Sequence, residues 1–259
     1  IGLVWAACWY WWYIDEPRNH PEVSESELRH ILAERHPESS EHFNRKLLTQ
    51  MLRNKSLLFL CLQYFTQSYG FYFFITWLPK YLEEARGFRG WMLGIFSGLP
   101  MLMSVFADLL GGLATDVLTR KYGLKVGRNG VAGGSLFCAG FLLIAGTMTA
   151  NPVVAVILLS LALAAANFLL GAAWGTCVDI SGSHTGVVSA VMNTSGQVGG
   201  VLCPIVAGFL VQNYGSWILP LVVTGTLYIL GSVCWLFVEP ARQIFLDESK
   251  FETEDANLD

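Results

Sequence analysis

Gln63, Gln67 and Gly70 fall at i, i+4 and i+7 of an apolar stretch, so one helix face would carry two amides beside a gap. An amide has two donor hydrogens and an acceptor oxygen. It can hold a hydroxyl or a carboxylate, or bond to a neighbouring helix. Tyr69 and Tyr72 lie on the other flank, where a phenol could serve a ligand or packing. Asn167, Gly171 and Trp174 repeat the spacing further on. Trp174 could stack on the apolar face of a sugar ring while its indole N–H donates, or simply line a cavity. Ser189, Asn193, Gln197 and Gly200 make a third stripe, polar and small, that allows close helix approach. These groups suit reversible binding. Asp179, Ser181 and His184 have the types of a hydrolytic triad, but they crowd one short turn and cannot form one. No enzyme is expected.

The elements that must hold these stripes follow from the distribution of charge. Only 14% of the 259 residues are charged, against about 25% for a soluble domain. Eight of the 20 acids lie between Asp15 and Glu41 and seven after Trp235. Asp108 is the only charge from Trp91 to Thr115, and none occurs from Asn129 to Val178. Apolar runs of about 20 residues read as membrane helices. Six are predicted: Leu57–Pro79, Trp91–Thr115, Asn129–Thr149, Val153–Val178, Val187–Gln212 and Trp217–Val238. The runs are continuous and lack the alternation of barrel strands. The fold class is therefore all-α and polytopic. A net charge of −4 without a basic tract excludes nucleic-acid binding. The six cysteines stand singly, and the four histidines between residues 15 and 55 share no face, so neither metal nor cofactor is expected.

Thirteen of the 16 Lys and Arg fall in the 15–55 segment, the 116–128 loop and the C-terminal tail. Only Lys80, Arg86 and Arg89 fall on the other side. The positive-inside rule then puts both ends of the chain in the cytoplasm. Residues 1–14 are apolar and aromatic but too short to span, and read as the end of a truncated helix. In the 15–55 linker, Ser24 and Glu27 form a capping box, and Pro37 closes the helix it starts. Phe43, Leu47, Leu48, Met51 and Leu52 form an apolar stripe beside basic residues, as in a helix at the inner membrane surface that tethers the bundle. Residues 56–238 hold the six spans, and 239–259 form an acidic tail.

Several stretches resemble, in order, one family of membrane carriers. Asn19–Ile31 is similar to the linker after the sixth span of the anion:cation symporter family of the major facilitator superfamily. Phe71-Tyr-Phe-Phe-Ile-Thr-Trp77-Leu-Pro79-Lys-Tyr81-Leu resembles its seventh span. Gly111-Gly-Leu-Ala-Thr-Asp116, with Arg120 and Lys121, resembles the facilitator loop motif after the eighth span. Gly171-Ala-Ala-Trp174, Asp179, Gly186 and Asn193-Thr-Ser-Gly196 resemble spans ten and eleven. The resemblance covers nearly the whole chain. It implies the C-terminal six-helix half of a twelve-helix carrier in the plasma (bacterial inner) membrane, built as two inverted three-helix repeats.

It also implies the partners: a small organic anion such as a hexuronate or aldonate, a coupling proton or sodium ion, and an N-terminal half outside this chain. A non-transporting fragment or receptor-like sensor is the alternative. Gln67 stands where vesicular members carry arginine, and Asn193 matches a family asparagine in the substrate cavity. Gln67, Trp174, Asn193, Tyr69, Tyr72 and Ser189 are thus the expected substrate contacts. Asp116, with Arg120 and Lys121, would latch a neighbouring helix, though Val117 replaces the usual basic residue. Asp108, a carboxylate costly to ionise in a bilayer, serves either in coupling or in a packing or gating hydrogen bond.

Overall fold

The computed structural model describes residues 2–34 and 45–245, and forms two units. In the first, α1 (Gly2–Trp12) is apolar on every side, with Leu3, Tyr10 and Trp11 turned outward. Trp9 stacks on Tyr13 at 4.8 Å. The Ser24 hydroxyl accepts from the Glu27 amide at 3.3 Å and caps α2 (Glu25–Glu34). Pro37 and Phe43 lie outside the described residues.

The second unit holds the bundle. Helix α3 (Arg45–Arg53) buries Leu47 and Met51 against it and leaves Leu48 and Leu52 exposed. The Asn54 side chain then accepts from Leu57 N at 3.0 Å and starts α4 (Lys55–Thr76). A break at Trp77, with Pro79 following, leads into α5 (Leu78–Glu84). Next come α6 (Gly90–Tyr122), a π-helical turn at Lys125–Gly130 and α7 (Val131–Met148). Asn151 caps α8 (Pro152–Phe168). Leu169 interrupts the helix before α9 (Leu170–Ser181). The last two are α10 (Thr185–Tyr214) and α11 (Ile218–Cys234). Helix α4 packs along α10 and α11, α7 along α8 and α11, and α6 along α8 and α9.

Among the described residues, five helical stretches are long and apolar enough to cross a membrane: Gly90–Tyr122, Lys125–Met148, Pro152–Ser181, Thr185–Tyr214 and Ile218–Phe237. The sixth expected span, α4, differs from these five in composition. Its 22 residues have the length, but Gln63, Tyr64, Thr66, Gln67, Ser68 and Tyr69 leave it short of the required apolarity. All six of these side chains are buried within the bundle. Helix α6 runs seven residues past the expected Thr115, and the span expected at Val153–Val178 is broken at Leu169.

Glycines set the tightest crossings. A Cβ on Gly111 of α6 would strike the Phe168 carbonyl at the end of α8, and one on Gly171 would lie 2.7 Å from Gly112 Cα. On α10, Gly196, Gly199 and Gly200 face Tyr64, the Phe65 carbonyl and the Tyr72 ring of α4. Gly111, Gly171 and Gly199 let two backbones approach, and Gly196 and Gly200 make room for side chains of α4.

At the far end of α7, Arg86 donates to the carbonyls of Gly146, Thr147 and Thr149 at 3.0, 3.2 and 2.7 Å. A guanidinium there satisfies carbonyls that have no intrahelical partner and complements the helix dipole. Its Nε donates to Tyr81 Oη at 2.6 Å. Burial pushes the Tyr81 phenol up, against the opposing pull of Arg86, so the hydroxyl stays neutral.

Candidate functional site

The polar stripes expected on separate helices meet along α4. Gln67 is 3% exposed, and its Nε2 donates to Asn167 Oδ1 of α8 at 3.0 Å. Ser68 Oγ donates to Gln67 Oε1 at 3.4 Å. Gln67 therefore makes the interhelical bond that was one of its two readings. Gln63, one turn earlier, is fully buried, and neither amide atom has a hydrogen-bond partner among the described residues.

Trp174 on α9 is 41% exposed, and the Tyr64 ring meets it edge-on at 6.2 Å. On α10, Asn193 and Gln197 are exposed one turn apart, with Ser189 half-buried one turn before Asn193. Tyr72 Oη donates to Gln197 Oε1 at 3.0 Å. Ser195 Oγ donates to the Cys61 carbonyl at 2.9 Å and pins α10 to α4. The two tyrosines are separated: Tyr72 stands at the open edge, whereas Tyr69 is buried and its hydroxyl has no partner among the described residues.

A second cluster is ionic. Arg128, in the π-helical turn before α7, donates through Nε to Asp179 Oδ2 of α9 at 2.8 Å. Its Nη1 donates to Thr115 Oγ1 at 3.4 Å and lies 3.7 Å from Asp116 Oδ1. Thr115 Oγ1 in turn donates to the Gly127 carbonyl at 2.7 Å. The guanidinium rests on Gly175, where a Cβ would come within 2.5 Å of Cζ. The cation beside Asp116 is therefore Arg128. Arg120 is exposed, and Lys121 lies over the Tyr122 ring at 5.1 Å. Arg120 follows Asp116 by one turn on the same helix, whereas Arg128 reaches it from the next element.

Sequence reasoning missed Arg128, although a signal was present. Arg128 and Asp179 are the two charges that bound the uncharged run, and they pair with each other. Asp108 is half-buried on α6, and its Oδ1 has no hydrogen-bond partner among the described residues, so the packing bond expected of it is not seen there at that oxygen. Among the described residues no group of three or more His, Cys, Asp and Glu side chains could hold a metal.

The all-helical fold, with its long apolar helices, agrees with the comparisons to known proteins. Residues 1–204 match the model of the Major Facilitator Superfamily. The probable sulfoacetate transporter SauU of Cupriavidus necator is 32% identical over 256 residues, 96% of this chain and 58% of that protein. The probable galactarate/D-glucarate transporter GarP of Escherichia coli K12 is 30% identical, over 92% of this chain and 56% of its own. The hexuronate transporter of Bacillus subtilis is 27% identical, over 93% and 56%. The chain belongs to the Major Facilitator Superfamily, with relatives of the anion:cation symporter type. It is a multi-pass membrane protein of a transporter family, not an enzyme. It spans a little over half the length of the curated relatives it matches.

Proposed function

We propose that this chain supplies one wall of a secondary carrier for a small organic anion, a sugar acid such as a hexuronate or aldonate. Transport is by alternating access and is coupled to protons or sodium. The carrying observation is the chemistry of the open edge: Asn193, Gln197 and Trp174 are exposed there, and all are neutral hydrogen-bonding groups. No Lys or Arg occurs between Asn129 and Ala241. In this reading the anion's charge is met by a cation on a second bundle, and this wall reads its hydroxyls and oxygens. Trp174 offers a flat apolar face to a sugar ring.

Substituting Asn193→Ala or Gln67→Ala in the full-length carrier should weaken hexuronate binding about 5- to 150-fold, the effect of losing one partner of a buried pair. Membrane insertion should be retained. Concentration-dependent uptake in proteoliposomes measures this. Unchanged affinity in both variants removes the site, and preference for an amino acid or a cationic compound removes the substrate class.

The relative named for sulfoacetate favours a second reading, a sulfonated anion. Such a substrate has oxygens for the same donors but no ring for Trp174. Competition of labelled hexuronate uptake by unlabelled sulfoacetate separates the two.

Orientation belongs to the same proposal. The basic loops face the cytoplasm, the six helices form two inverted three-helix repeats, and both ends of the segment are inside. Cysteines placed at Lys80 and at Arg120 should then label from opposite sides of the membrane. Labelling from one side would overturn the topology.

A further inference from the structure

We infer that Gln197 is a donor-only contact for an anionic oxygen of the substrate, held in that sense by Tyr72 and Gly200. The inference rests on the organic-anion reading above and names a specificity determinant within it.

A free glutamine amide is ambivalent, because rotation by half a turn exchanges its oxygen and its NH2 group. At Gln197 a phenol, itself able to donate or accept, stands against the oxygen end of the amide. Tyr72 Oη donates to Oε1 at 3.0 Å, so the acceptor end is occupied. The hydroxyl has a fixed origin, because the Tyr72 ring fills the space a Cβ on Gly200 would need: Cε2 would lie 2.5 Å and Cδ2 2.6 Å from it. Phe71 meets the same ring at 86° with centroids 6.0 Å apart.

Gln197 Nε2 has no acceptor among the described residues and lies on an exposed stretch of α10, one turn after Asn193. It therefore presents two hydrogens and no lone pair. Asn167 is polarised in the same sense, since its Oδ1 is already taken by the Gln67 amide. A wall without lysine or arginine can still select an anion if its amides are held so that only hydrogens face the ligand. Carboxylate and sulfonate oxygens accept such hydrogens, whereas the NH2 group of a carboxamide cannot.

Three variants of the full-length carrier test this, with uptake normalised to the amount in the membrane. Tyr72→Phe keeps the ring on Gly200 but frees the amide to turn. It should raise KM for the anion about fivefold, more than it lowers kcat, and narrow about fivefold the preference for the acid over its primary amide as competitor. Gly200→Ala should move the ring and reproduce that narrowing. Gln197→Glu replaces the donors with acceptors and should raise KM at least about tenfold. A purely structural role would lower the amount of carrier and leave both KM and the preference as they were, and that result would overturn the inference. If the unmodified carrier takes up organic anions and the variants keep its KM and preference, this inference alone fails. If the unmodified carrier takes up no organic anion, the substrate reading fails with it.

Discussion

Arg128→Ala is expected to lower the stability of the bundle by about 3 kcal/mol, the cost of removing one partner from a buried ion pair. The Arg128 and Asp179 side chains are 12% and 18% exposed, and the bond between them is 2.8 Å long. Without the guanidinium, the Asp179 carboxylate stays between α7 and α9 with its cation gone, and Thr115 loses a donor. The other ion pair of the cluster behaves differently. Asp116 is 59% exposed and 3.7 Å from Arg128. Water screens that pair, so Asp116→Ala should cost less than about 1 kcal/mol. The double variant Arg128→Ala with Asp179→Ala should be milder than Arg128→Ala alone, because no charge is then left unpaired. Thermal unfolding of detergent-solubilised protein, ordering the variants by midpoint, checks all three. Equal midpoints for Arg128→Ala and the unmodified chain would show that the pair contributes nothing.

Gly111→Val should be at least as damaging, for a steric reason. The Cβ of any larger residue would collide with the Phe168 carbonyl, which is backbone and cannot rotate away. Overfilling a packed contact costs about 1–3 kcal/mol when side chains can yield, and more where backbone must move. We therefore expect about 3 kcal/mol or more and a displaced α6–α8 crossing. Gly112, its immediate neighbour, is the control, since a Cβ there would meet nothing within 4 Å. Gly112→Ala should stay within about 0.5 kcal/mol of the parent. The same unfolding measurement, with yield of folded protein as a second readout, distinguishes them. Similar behaviour at the two positions would refute the crossing as described.

The helices were legible in the sequence because charge is nearly absent from them. Five expected spans fall on helices long and apolar enough to cross a membrane. Helix α4 was harder to class, because its polar side is turned toward α8, α10 and α11, and average apolarity does not register which way a face points. Spacing placed Asn193 and Gln197 on one exposed face of α10. It could not show that Gln67 is engaged by Asn167, since that bond joins residues a hundred positions apart. Tyr69 and Tyr72 differ by three residues and share a flank, yet one is buried under α10 and the other reaches the edge. The glycines of α10 decide how deep that contact runs. Asp116 and Arg120 have the spacing of a helical pair, and that local pattern hid the longer-range partner, Arg128. The break at Leu169 has no proline or glycine to announce it, only the close approach of α6 at Phe168.

That break makes α9 a separate, 12-residue rod. Trp174 and Asp179 are both mounted on it, five residues apart, about 7.5 Å along its axis and about 140° around it. Any rotation of the rod that draws Asp179 away from Arg128 turns the indole through the same angle on the opposite flank. The guanidinium rests on Gly175, next to Trp174, while Ala172, Ala173, Thr176, Cys177, Ile180 and Ser181 hold the helix against its neighbours. The ion pair and the aromatic wall thus share one short helix, the first held by charge and the second by the edge-on contact with Tyr64.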